Sequence, residues 1–216
     1  MNKKIIDVIE NFLKNYEEKE YITICSRETD NIVDEDFKCK IYNEFSLQHE
    51  LGLYFRNNLE YSTILFEKNV KSFNGGKIFK NWEKHEIDIV IIDNLTNKKY
   101  AVELKFPLNG QYPEQMFQFT KDICFMEQVK KYIKFEKTFC LTLVNDYNFY
   151  EANKNQKTDG IYKYFRIRSK LSGLIKDPVN HKNSLPKEIK LSGNYNINWK
   201  SINNNKYLKY YLVEAD

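Results

Sequence analysis

Apolar residues recur along this chain with two different periods, and each change of period marks an element. Ile5, Ile6, Val8, Ile9, Phe12 and Leu13 return at helical spacing and predict a short amphipathic helix, broken by the charged residues 17–20. Residues 21–44 are mixed and acidic and predict no element. From Ser46, read as an N-cap, the residues Leu47, Leu51, Tyr54, Phe55 and Leu59 make one stripe with Glu50 in the first turn, which predicts a helix to about residue 58. Residues 61–66 (YSTILF) are β-branched and aromatic and predict a strand, and Asn74-Gly75-Gly76 predicts a turn. Residues 87–92 are nearly continuous Ile and Val, and residues 100–106 follow across a short polar loop, so the two predict a β-hairpin ended by Pro107, Asn109 and Gly110. Pro113 suits the first turn of a long helix reaching about residue 132, which buries Phe117, Phe119, Ile123, Met126, Val129 and Ile133. Residues 138–144 complete the series as a strand.

The resulting order is helix, strand, strand, strand, helix, strand. It predicts an α/β sandwich with a central mixed sheet covered by helices on both faces. Beyond Asn145 the pattern is weaker: residues 147–165 read as partly helical, and residues 195–199 with 207–213 as a terminal hairpin. A length of 216 residues suits one domain, with its core over about 46–145, an N-terminal helix and cap over 1–45, and a C-terminal extension over 146–216.

Composition narrows the class further. With 15% aromatic and 42% hydrophobic residues the chain can bury a sizeable core, which excludes disordered and low-complexity classes. Mean hydropathy is −0.66 and no apolar run is long enough for a bilayer, so neither a membrane span nor a signal peptide is expected. Cys25, Cys39, Cys124 and Cys140 stand far apart with no Cys-x-x-Cys pair, as thiols of a reducing cytoplasm would. The net charge of +4 permits an anionic partner without requiring one.

Chemistry enters through three ionisable residues set in Ile, Val and Leu strands: Asp88, Glu103 and Lys105. Unpaired charge is costly to bury, so such residues need a reason to be there. Glu103 and Lys105 project from one face of their strand. A hairpin turning symmetrically about Leu95 and Thr96 places Asp88 directly opposite Glu103, their Cβ atoms roughly 4.5–5.5 Å apart. Two opposed carboxylates repel, and a hard divalent cation such as Mg²⁺ or Mn²⁺ removes the repulsion. Other acid-x-Lys triplets occur at Glu17, Asp36 and Glu188, but none follows a strand hairpin.

Asp88 followed by Glu103-Leu104-Lys105 on adjacent strands, after a Glu-bearing helix, resembles the PD-(D/E)XK nuclease superfamily, with its restriction-endonuclease-like fold. The resemblance covers about residues 46–145, and Ile87 stands where the name-giving proline would. It implies that Asp88 and Glu103 bind metal, with the Leu104 carbonyl as a further ligand, and that Lys105 assists the attacking water. Glu50 matches the helix acid of many members. The activity implied is hydrolysis of phosphodiester bonds, most readily in DNA, by a cytoplasmic Mg²⁺- or Mn²⁺-dependent nuclease serving phage defence or DNA processing. A cutter of both strands would be a two-fold homodimer.

Further contacts to phosphate or metal-bound water are sought in Gln115, Gln118 and Asp122, which share a stripe of the long helix, and to substrate in Arg166 and Arg168, which lie among aromatics over residues 162–170. Each has a plainer reading: a solvated helix face for the first group and alternating burial for the second. His49, His85 and His181 form no zinc pattern, and His85 reads as a surface residue. The central triad also has a structural alternative, in which Glu86 pairs with Lys105 across the hairpin and Asp88 faces solvent. Two other functional classes stay open: a catalytically silent member of the fold that binds nucleic acid or protein, and an immunity-type structural protein with a buried ionic cluster.

Overall fold

The computed structural model of the protein describes residues 1–18, 41–77, 79, 82, 84–108, 110–152, 157–179, 188–202 and 207–216. Its helices are α1 (Asn2–Glu18), α2 (Glu44–Asn58), α3 (Tyr112–Gln128) and the short α4 (Tyr162–Arg166). Its strands are β1 (Ser62–Asn69), β2 (Glu86–Asp93), β3 (Lys99–Lys105), β4 (Lys137–Val144), β5 (Leu171–Lys176), β6 (Glu188–Tyr195), β7 (Lys200–Ser201) and β8 (Lys209–Ala215).

The Ile/Val run and its partner pair as an antiparallel hairpin: Ile89 faces Val102, Val90 faces Ala101, Ile91 faces Tyr100 and Ile92 faces Lys99. This is the register that a turn centred on Leu95 and Thr96 demands. The turn is tied by Asp93 Oδ1, which accepts from the amides of Leu95 (3.0 Å) and Thr96 (3.3 Å). β1 adds antiparallel to the outer side of β2, whereas β4 lies parallel to β3 and is reached through the crossover helix α3. The sheet runs β1-β2-β3-β4-β8-β7, and β5 with β6 forms a separate two-stranded sheet.

Both faces of the six-stranded sheet are covered, which is why β2 carries an almost unbroken apolar run. On one face α1 and α2 bring Ile5, Ile9, Phe12, Leu47, Leu51 and Phe55 against Ile89, Ile91, Val102 and Leu104. On the other, α3 lays Phe119, Ile123 and Met126, with Val129 just beyond its end, over Val90, Ala101 and Cys140. The expected α/β sandwich with a mixed central sheet is therefore what the protein has. Cys124 and Cys140 are buried thiols outside any disulfide; Cys25 and Cys39, with most of residues 21–44, lie outside the described residues.

Three expectations need correction. Helix α2 does not begin at a Ser46 cap: Asn43 is the N-cap, its Oδ1 accepting from Ser46 N (2.8 Å), while Ser46 Oγ accepts from Asn43 N (3.0 Å). That reciprocal box starts the helix at Glu44. The long helix keeps α geometry only to Gln128 and closes in a π turn, Val129–Ile133, before Lys134 in the left-handed conformation. The terminal hairpin is reduced to the two-residue β7 against β8, because residues 195 and 209–215 have other partners. Tyr195 pairs with Leu171 at the end of β6, and β8 pairs along β4 from Thr138↔Ala215 to Val144↔Lys209. No helix among the described residues is long and apolar enough to cross a membrane.

Candidate functional site

The end of the β2–β3 hairpin away from its turn, roofed by α3 and flanked by the start of α2, gathers the charges of the inner strands. Asp88, Glu103 and Asp122 are buried, at 7%, 1% and 8% exposure, among Ile, Val and Phe side chains. Asp88 and Glu103 project toward α3, and α3 returns Asp122 toward them. The ammonium of Lys84, on the segment leading into β2, lies among the three: 3.6 Å from Asp88 Oδ1, 3.8 Å from Asp122 Oδ1 and in direct ion contact with Glu103 Oε1. Lys105 lies 3.9 Å from Asp122 Oδ2 and donates to Glu44 Oε1 (3.1 Å). The other Glu44 oxygen accepts from Phe106 N (3.2 Å), which fixes the first turn of α2 to the end of β3.

Asp88 is held from two sides. Its Oδ2 accepts from Leu104 N at 2.7 Å, so the carboxylate takes a bond that the strand ladder, ending at Ile89↔Val102, does not supply. Its backbone carbonyl accepts from Gln48 Nε2 (2.8 Å), which also donates to Glu67 Oε1 (2.5 Å). Glu67 explains that need: with φ of 46° it is skipped in the β1–β2 register between Phe66↔Ile89 and Lys68↔Ile87. The side chain of Gln48 serves the carbonyl at this break in the ladder.

Burial pushes the Asp88 carboxyl up from 3.8 to about 6, against the pull of the Lys84 ammonium and the Leu104 amide, with Asp122 and Glu44 adding to the rise. Burial likewise raises the Asp122 carboxyl, and Lys105 and Lys84 only partly restrain it. For Lys105 burial works downward, but Asp122 and Glu44 outweigh it and the ammonium is held more firmly than usual. Lys105 is therefore a fixed cation at neutral pH and a poor base.

Charge and hydrogen bonding both leave the site short of positive charge. Among the described residues four carboxylates, Glu44, Asp88, Glu103 and Asp122, face the ammonium groups of Lys84 and Lys105, with Lys121 also acting on Asp122. Glu103 Oε2, buried, has no hydrogen-bond partner among the described residues. A hard divalent cation suits such all-oxygen donors and their surplus of negative charge. As the side chains stand, no three His, Cys, Asp or Glu residues among those described are grouped to hold one ion, and the Lys84 ammonium occupies the space between them. The residues thus fit a divalent ion in donor type and charge, with Lys84 in the way. Above them opens a cleft of about 380 Å³, lined by Lys84, Lys105, Lys121, Gln118, Gln128 and Asp122 among others.

The residues singled out from sequence fare differently. Asp88, Glu103 and Lys105 are brought into one group, and the alternative pairing of Glu86 with Lys105 does not occur: Glu86 is exposed and Lys105 is on Glu44. Glu50 stands apart from the group. It lies two residues beyond Gln48, about 200° around the helix, and its ion partner is His49 (3.3 Å). The helix acid at the site is Glu44 instead, signalled in the sequence by the Asn43-x-x-Ser46 box that precedes the stripe. Leu104 meets Asp88 through its amide. Gln118 lines the cleft and is exposed, whereas Gln115 is half-buried. Asp122, read as part of a solvated face, is buried, and its apolar neighbours Phe119, Ile123 and Met126 were the available signal.

Arg166 is no free substrate contact. Its guanidinium donates to the carbonyls of Asn148 (2.9 and 2.5 Å) and Lys157 (2.7 Å) and stacks 4.1 Å from the Tyr162 ring centroid. Arg168 is exposed. His85 is half-buried and accepts through its carbonyl from Val70 N (2.8 Å), while His181 lies outside the described residues. Compared with models of known protein families, with curated proteins and with solved structures, the chain matches none.

Proposed function

We propose that the protein is a metal-dependent nuclease with a restriction-endonuclease-like core, hydrolysing phosphodiester bonds, in the first place in DNA. The observation that carries this reading is the convergence of Asp88, Glu103 and Lys105 with Asp122 and Lys84 beside a cleft that Lys84, Lys105, Lys121 and Asp122 line. The likeness to PD-(D/E)XK nucleases supports it, since β1 to β3, α3 and β4 follow α2 in the order that likeness implies. Asp88, Glu103 and Asp122 are the residues to hold Mg²⁺ or Mn²⁺, which when bound supplies Lewis acidity and a more acidic water. Lys105, fixed as a cation by Asp122 and Glu44, orients that water and offsets charge developing on the phosphate. Gln48 and the Leu104 amide hold Asp88 in place from behind, and Lys121 and Gln118 bind the phosphate chain at the cleft wall.

A second reading has its own observation: Lys84 already neutralises part of the carboxylate group, as it would in a silent member of the fold that binds nucleic acid without cutting it. One experiment separates the two. Supercoiled plasmid, linear duplex, single-stranded DNA and structured RNA are incubated with the protein in Mn²⁺ or in EDTA, with Glu103→Ala beside wild type. Cutting that needs Mn²⁺ and disappears in the variant is the expected result, and the substrate cut defines the nucleic acid. Retardation on a gel in EDTA, with no substrate cut in Mn²⁺, replaces the nuclease with the binding module.

A further inference from the structure

Lys84 is the unusual member of the site. It is not part of β2, so the strand does not dictate where its side chain goes, and at 31% side-chain exposure it reaches the acids from the cleft. The carboxylate oxygens it meets, Asp88 Oδ1, Glu103 Oε1 and Asp122 Oδ1, belong to the three acids best placed to bind a cation. Yet it leaves the group incompletely served. Glu103 is 1% exposed, and its Oε2 still has no hydrogen-bond partner among the described residues. Among the described residues one ammonium also stands among three buried carboxylates, and Lys105 is shared between Glu44 and Asp122.

An ammonium and a divalent ion cannot share this space, since both would stand within a few ångströms of the same oxygens and repel strongly in a buried setting. The lysine is the one able to leave. Its charge sits on a flexible four-carbon stem, its base is on a connecting segment, and its Nζ already lies 5.9 Å from the ring centroid of Phe125, a residue of the cleft wall. We propose that Lys84 is a tethered counter-ion that holds the carboxylate group together in the metal-free protein and is expelled into the cleft when a divalent cation binds. The proposal rests on the metal-dependent reading above, but it concerns binding and does not require cleavage. Competition from Lys84 weakens metal binding in proportion to how fully it occupies the site. Once expelled, it joins Lys105 and Lys121 on the cleft wall, so that the ion and an anionic chain are drawn to the cleft together.

Two measurements without nucleic acid test this. In the wild-type chain, lysines are labelled with an amine-reactive reagent in EDTA and in saturating Mn²⁺, and each is quantified by peptide mass spectrometry, with exposed Lys98 as reference. Lys84 is expected to become several-fold more reactive in Mn²⁺ relative to Lys98; unchanged or lower reactivity in protein that binds Mn²⁺ overturns the proposal. Calorimetric titration with Mn²⁺ then compares wild type with Lys84→Met and the more polar Lys84→Gln. The folded variants should bind at least about tenfold more tightly and gain more in thermal midpoint from Mn²⁺ than wild type does. Addition of Glu103→Gln should remove the gain. Equal or weaker Mn²⁺ binding by a folded variant overturns the proposal, and if neither variant folds the labelling result decides. Failure of the nuclease reading looks different: Lys84 is released by Mn²⁺, but no substrate is cut. Mn²⁺-dependent cutting with Lys84 unmoved sinks the counter-ion and leaves the nuclease, and absence of Mn²⁺ binding from every form sinks both.

Discussion

Asp88 shows at the scale of one residue how a site stores unfavourable interactions. Its carboxyl is raised from 3.8 to about 6 because burial, Asp122 and Glu44 outweigh Lys84 and the Leu104 amide. An acid whose folded-state pKa lies above the unfolded value stabilises the fold below the unfolded pKa and loses that contribution as pH rises through the folded one. In EDTA, wild type should therefore lose on the order of 2–3 kcal/mol relative to Asp88→Asn between about pH 4 and pH 7. Urea unfolding of both proteins across that range measures it, and a pH-independent difference contradicts it. Mn²⁺ should flatten the difference at the upper end, because bound metal favours the ionised carboxylate. At this scale only part of the site was legible. Asp88, Glu103 and Lys105 stood out because charges in apolar strands are conspicuous. Glu44 and Lys84 did not, since each is an ordinary polar residue until the fold brings it against the others, and Asp122 showed only as one member of a helix stripe that reads more readily as solvated.

The elements explain which expectations survived. A hairpin's register is local: once the loop between β2 and β3 centres on Leu95 and Thr96, the pairing of Ile89 with Val102 follows, and beyond it the Asp88 carboxylate takes the Leu104 amide. A helix start is also local but subtler. Ser46 was visible as a capping residue, yet it serves as the third residue of a box whose cap is Asn43. The difference matters to the site, because only a helix beginning at Glu44 places that carboxylate on Lys105 and the Phe106 amide. Asn43→Ala removes the cap bond to Ser46 N and should cost about 1 kcal/mol in urea unfolding. The Glu44–Lys105 contact should loosen with it, so Asn43→Ala combined with Lys105→Met should cost less than the sum of the two changes. Strict additivity would mean that the cap and the ion pair are independent.

The whole molecule depends on pairings that no local pattern reveals. Residues 209–215 alternate as a strand should, and sequence proximity suggested a partner just upstream, but β7 supplies only two residues of pairing and the long partner is β4, some seventy residues away. Tyr211, Val213 and Ala215 thereby enter one core, and Leu208 and Tyr210 the other, while α1 fills the second core with Ile5, Ile9 and Phe12. The stretch 46–145, which carries Asp88, Glu103 and Lys105, is consequently not self-sufficient. Cut free, it would bare the whole edge of β4, an apolar strand with its N–H and C=O groups unpaired, and would strip α2 and the sheet of the side chains of α1. A fragment of 46–145 should therefore aggregate or unfold without cooperativity, where the full chain gives one sharp transition. Thermal melts by near-ultraviolet circular dichroism and gel filtration make the comparison. A monomeric fragment with a cooperative melt would mean that β8 and α1 are accessories to a core already complete. The expected failure would mean instead that the carboxylate group at the β2–β3 end is held in shape by both ends of the chain, so that Asp88 and Glu103 are positioned by residues far outside the segment that bears them.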